Sequence, residues 1–231
     1  MAAYATLGRS RLFRLWSHWS PHGTQADDGD VAQQWAAWLD PLQAVRLRSA
    51  LDAIDTANYS VVSELPSSAL QGFTAELRRI QAAWAVAVDP AVLQPESEAT
   101  LAAVEALWPG HASLSGFERY RRVHLEWQRQ MAVMVTPLRH QLRRVLARAG
   151  GSWQRLALLD ALLESQLEPQ EARAFAQVLV WLERRYAHAS EQDAASLKPF
   201  FVDWQALVDA ELDLRLQPVL GMLDSWEQEH P

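Results

Sequence analysis

The chain has no cysteine, which removes disulfide scaffolds, thiolate nucleophiles, iron–sulfur clusters and cysteine-based zinc sites together. It has one lysine, Lys198, among its 21 basic residues. A Walker-type NTPase, a Schiff-base enzyme or a kinase would have to use it, and Ser196-Leu197-Lys198-Pro199 matches none of their motifs. Nine glycines and eleven prolines in 231 residues are too few for a turn-rich β-sandwich or a low-complexity chain. No apolar run approaches the ~18 residues that span a bilayer, and the first residues lack the apolar stretch of a secretory signal. A cytoplasmic location is expected, with recruitment to the inner membrane by a partner as the variant. Gly-x-Ser-x-Gly, His-Glu-x-x-His, Gly-x-Gly-x-x-Gly and paired Glu-x-x-His motifs are missing, so neither enzymatic activity nor a cofactor is expected.

What is present is a helical composition. Apolar residues make up 49% and charged residues 21%, enough to bury a core. Ala, Leu, Gln, Glu and Arg dominate, with apolar positions three and four apart. The pattern predicts an all-α bundle of about seven helices in a single domain, residues 1–110 packing on a long-helix bundle over 113–231. The segments are Arg9 to Trp19, Val31 to Asp55 with an internal start at Asp40-Pro41, and Ser67 or Ser68 to Val88. Glu96 to Leu107 is a short fourth, closed by Trp108-Pro109-Gly110. The longest starts at Ser113 or Ser115 and ends at Gly150-Gly151. Ser152 caps the next, which runs to His188 with a break offered at Glu168-Pro169. The last covers Phe200 to Glu229. In the longest segment Phe117, Tyr120, His124, Trp127, Met131, Met134, Leu138, Gln141 and Val145 alternate steps of three and four, a coiled-coil-like seam, with Pro137 expected to kink it. Of the tryptophans, Trp16, Trp19, Trp35, Trp38, Trp84, Trp127, Trp181 and Trp204 fall on apolar faces and are read as core. The first segment sets Leu12, Leu15, Trp16 and Trp19 against Arg11 and Arg14, as either a docking helix or an interfacial anchor would.

Charge is uneven along the chain. Residues 113–151 hold eight arginines against two glutamates. The residues before them hold seven basic and twelve acidic groups, and those after them six and fourteen. One cationic helix thus stands in a chain of net charge −7. Arg119, Arg122, Arg129, Arg139, Arg143, Arg144 and Arg148 are the candidate residues for contacting a partner or phosphate, since planar guanidinium groups match carboxylate and phosphate. The competing reading pairs them with acidic neighbouring helices through Glu164, Glu168, Glu171 and Glu183. Asp160, Glu211, Arg215 and His124 fall on apolar faces and are read as a structural polar core. Glu211 and Arg215, four apart in acid-before-base order, are expected to pair with each other, and Asp160 to find an arginine or backbone partner. No metal site is expected: Pro21 separates His18 from His22, and Asp27-Asp28-Gly29-Asp30 lacks a calcium-loop spacing.

Several stretches carry a resemblance: Ser10-Arg11-Leu12-Phe13-Arg14-Leu15, Trp35 to Val45, Leu159-Asp160-Ala161, Leu182 to Tyr186, and Ala210-Glu211-Leu212-Asp213-Leu214-Arg215-Leu216-Gln217-Pro218-Val219-Leu220-Gly221. Together they resemble a bacterial domain-of-unknown-function family, number three-three-four-eight. The resemblance implies genes beside stator-like proton-channel subunits and peptidoglycan-binding proteins, in loci similar to Zorya antiphage defence systems. It carries over no catalytic residue. Three expectations follow: an adaptor that binds a protein partner from the same locus, a nucleic-acid-binding module using residues 119–148, and a homo-oligomer built through the Phe117–Val145 seam.

Overall fold

The structure is a computed structural model that describes residues 41–60, 67–87, 116–192 and 197–229. Within them the chain is all-α: five helices and no strand, α1 (Pro41–Thr56), α2 (Ser67–Ala87), α3 (Glu118–Ala149), α4 (Gly151–Gln192) and α5 (Leu197–Glu229). The expected segments at 9–19 and 96–107, the four tryptophans from Trp16 to Trp38, His18, His22 and the Asp27–Asp30 cluster lie outside the described residues.

Local chemistry sets the boundaries. α1 begins on Pro41, whose fixed φ and missing N–H suit a first helical position. α2 begins on Ser67, directly after Pro66. α3 and α4 are joined through Gly150 and Gly151, at φ 76° and 55°. Gly150 combines that φ with ψ −166°, a region that residues with a Cβ do not tolerate. α4 starts one residue before Ser152, so Ser152 lies inside its first turn and not at the cap position, and the first helical bond runs from the Gln154 N–H to the Gly150 carbonyl at 3.2 Å.

Five of the seven expected segments fall among the described residues, each as one helix, and the break offered at Glu168-Pro169 is not taken. Pro169 lies inside α4 and Pro218 inside α5, and neither ends its helix. Pro137 likewise stands inside an unbroken α3. A proline removes one helical N–H and crowds one carbonyl, and here the packing on either side outweighs that loss.

α3 and α4 run antiparallel, as do α4 and α5, so α3 and α5 are parallel. Cross-helix pairs mark the alignment: Arg139 with Asp160 between α3 and α4, Arg185 with Asp203 between α4 and α5, and Trp127 against Trp204 between α3 and α5. α1 lies along α4, tied by Arg155 to Asp55. α2 lies on α3.

The core is one cluster contributed by α2, α3, α4 and α5. Its aromatic centre links Trp84, Trp127, Trp204, Tyr120 and Phe200, with ring centroids 5.1 to 6.2 Å apart. The buried residues of α3 are Tyr120, Val123, His124, Trp127, Met131, Val135, Leu138, Leu142, Leu146 and Ala149. The expected seam is therefore corrected. Tyr120, His124, Trp127, Met131 and Leu138 are buried as expected and Phe117 partly so, but Val135, Leu142 and Leu146 replace Met134, Gln141 and Val145. A strict 3–4 alternation repeats every 3.5 residues, whereas a straight α-helix turns every 3.6, and the buried face drifts by one position over four heptads. Most of that face is covered by the chain's own helices.

Candidate functional site

α3 presents three polar groupings, each on its own face. The first is interior. His124 is 1% exposed and Glu211 fully buried. The Trp204 indole N–H donates to His124 Nδ1 at 3.1 Å. An indole can only donate, so Nδ1 must accept and the imidazole proton sits on Nε2. That proton points to Glu211 Oε1 at 2.9 Å, and the Gln128 amide donates to Glu211 Oε2 at 2.9 Å. Both carboxylate oxygens are taken by α3 donors.

This overturns the expected Glu211–Arg215 pair. Helical spacing puts the two on one inward face, but the directional donors across the interface claim the carboxylate. Arg215 instead lays its guanidinium over the Phe175 ring, 4.1 Å from the centroid, a cation–π contact. Its Nε is buried without a hydrogen-bond partner among the described residues. Burial holds the Arg215 guanidinium below its ordinary pKa, against the opposing charges of Glu211 and Glu171.

The second grouping joins α3 to α4. Arg139 makes a two-pronged contact with Asp160, Nε to Oδ2 at 2.9 Å and Nη2 to Oδ1 at 2.8 Å, and reaches Glu164 at 3.3 Å. Arg143 donates to Glu164 at 2.6 Å and approaches Asp160 at 3.6 Å. Two cations and two anions thus form a square, each spaced four residues apart on its helix. Arg139 and Arg143 side chains are 12% and 14% exposed. Burial pushes the Glu164 carboxyl up, but the Arg143 hydrogen bond and the charges of Arg139, Arg143 and His140 together hold it below its ordinary value. Two turns on, burial raises the Glu171 carboxyl despite the charges of Arg139 and Arg215.

Arg139 and Arg143 are therefore removed from the outward contact set. Their guanidinium groups hold two helices together, and their i, i+4 spacing on α3 is the spacing of the matching carboxylates on α4.

The third grouping faces away from the core. Arg122, Arg129, Arg144 and Arg148 are exposed. Arg129 is held by Glu126 on its own helix at 2.6 Å, as Arg121 is by Glu118. Arg119 is partly buried and engaged in contacts. Arg122, Arg144 and Arg148 have no carboxylate partner among the described residues. At 1.5 Å per residue the stripe from Arg122 to Arg148 runs about 39 Å along α3.

Beside it lies an open groove of about 980 Å³ between the outer face of α3 and the first turns of α4. Val133, Pro137, Ala147, Leu158 and Ala161 line its apolar part, and Arg129, His140 and Arg144 its polar rim. Val133 is 60% exposed and Leu158 41%. The sequence reading missed this groove, because Val133 and Leu158 meet only once α3 and α4 are folded side by side. The signal available was Val133, an apolar residue off the main seam on the face that carries Arg129 and Arg144.

The model of a family described as "Protein of unknown function (DUF3348)" matches residues 2–228. No curated protein and no solved structure matches the chain.

Proposed function

From the premise that the chain belongs to the DUF3348 family, and from the arginines of α3 that have no carboxylate partner among the described residues, we propose that it is a non-enzymatic helical adaptor. Its setting would be a stator-like, Zorya-type antiphage locus, and it would work by binding a protein encoded there. The observation that carries this reading is the division of labour along α3. Arg139 and Arg143 are neutralised by α4, while Arg122, Arg144 and Arg148 stand in solvent with nothing to neutralise them among the described residues. Exposed guanidinium groups that serve no internal contact are available to an external anion.

An acidic protein surface suits the face better than nucleic acid does. Apolar residues lie between the arginines, a mixture typical of protein interfaces, and the chain's net charge of −7 opposes general attraction to phosphate backbones. The test is the triple reversal Arg122→Glu, Arg144→Glu, Arg148→Glu, in the native host. All three side chains are exposed, so helicity and melting temperature should be kept while capture of locus-encoded proteins and protection from phage are lost. Unchanged capture and protection would overturn the adaptor reading. If duplex DNA binds the parent chain with a steep salt dependence and the reversal abolishes it, the nucleic-acid reading replaces it.

A further inference from the structure

We infer that the groove between α3 and α4 is the seat of an acidic amphipathic helix from the partner. This rests on the adaptor reading and names the partner's chemistry. The groove's position on α3 argues for a helix. Arg129, Val133, Thr136, His140, Arg144 and Ala147 line it at steps of four, three, four, four and three. They form a second stripe on the side of α3 opposite the buried one. Such a stripe extends for five turns, about 27 Å, the length that a helix of about eighteen residues would cover.

Small side chains let a helix come close. Ala147 on α3 and Ala161 on α4 leave a channel rather than a ridge, the shape into which another helix packs its own side-chain rows. Val133 and Leu158 stand exposed on its two walls, apolar area that an occupant would remove from water. An apolar stripe on the guest is therefore required, as in other helix-in-groove recognition.

Charge selects which amphipathic helix. Arg144 and Arg148, one turn apart and without carboxylate partners among the described residues, stand at one end of the stripe, and Arg122 lies beyond the other. Carboxylates on the flanks of the guest would meet them, whereas a basic helix would be repelled.

The experiment uses two synthetic 21-residue helical peptides and the full chain. One peptide carries leucine and alanine on one face and glutamate elsewhere; the other has lysine in place of every glutamate. Fluorescence anisotropy is measured against the parent chain, Val133→Asp, and Arg144→Glu with Arg148→Glu. The altered residues are exposed, and circular dichroism checks that each variant is folded. The glutamate peptide should bind the parent, the lysine peptide should not, and each variant should weaken the glutamate peptide at least about tenfold, the scale of losing one anchoring contact. Binding unaffected by Val133→Asp, equal binding of both peptides, or no binding of the glutamate peptide would overturn the groove assignment.

Failure here is separable from failure of the adaptor reading. If Val133→Asp leaves capture of locus-encoded proteins intact while the arginine reversal abolishes it, the adaptor stands and its helix-binding groove does not. A second copy of the chain as occupant would show as a dimer in light scattering that Val133→Asp dissociates, and would also overturn the proposal.

Discussion

At the scale of single residues, burial and charge are balanced differently at two glutamates on the same helix. Glu164 sits in the square with Arg139 and Arg143 and has its carboxyl held below the ordinary value. Glu171, two turns along, is raised by burial. Linkage gives these opposite consequences. Glu164 adds stability above the unfolded-state carboxyl pKa of about 4.3, and that stability is lost as pH falls through its lowered folded value. Glu171 favours folding most when protonated, and its contribution declines as pH rises through its raised folded value. Glu164→Gln should therefore lower the melting temperature at pH 7, and Glu171→Gln should raise it. Both differences should shrink as the pH is brought below 4. Thermal melts of the two variants at both ends of that range check the signs, and the same sign for both at pH 7 would refute the account.

The residue scale is also where sequence reading meets its limit. That Asp160 needs a cation follows from its apolar neighbours, but which cation depends on where α4 lies against α3. Arg143 and Arg144 are adjacent in the chain and about 100° apart on the helix. One is 14% exposed in an ion pair and the other stands in solvent. Composition treats them alike. Glu211 shows the same limit: spacing offers it Arg215, and a histidine and a glutamine 80-odd residues away take it instead.

At the scale of elements, the starts at Pro41 and Ser67 and the junction at Gly150-Gly151 are legible because they follow local backbone chemistry. The helices run on through Pro137, Pro169 and Pro218 as the segments predict; only the break offered at Pro169 is beyond local chemistry, since tertiary packing decides whether one lost hydrogen bond ends a helix. The α3–α4 junction has an energetic consequence. Gly150 holds φ 76° and ψ −166°, so Gly150→Ala should destabilise the chain by about 1–3 kcal/mol. Urea unfolding should show a lower midpoint at unchanged slope. Gly72, in α2 with nothing within 4 Å of an added Cβ, is the control: there alanine should be neutral or stabilising.

At the scale of the whole molecule, the arginines divide into those that hold the bundle and those that face outward, and salt should separate the two. Ions screen exposed charges over a Debye length of about 8 Å at physiological strength but act much less on buried pairs. Raising sodium chloride should therefore weaken partner capture steeply while leaving the melting temperature nearly unchanged. Parallel loss of both would mean that the Arg139–Asp160–Arg143–Glu164 square is more open to solvent than its exposures indicate. The all-α architecture was readable from periodicity and composition. The groove was not, because it belongs to no single helix.

The aromatic centre has a practical consequence. Trp84 is the contribution of α2 to a row of indoles that continues through Trp127 of α3 to Trp204 of α5. Lifting α2 away would uncover Trp84 and the part of Trp127 packed on it and redden their emission, a change that a Trp84→Phe variant separates from that of the other tryptophans. The protein thus carries its own optical gauge of whether that helix is seated, readable without any label.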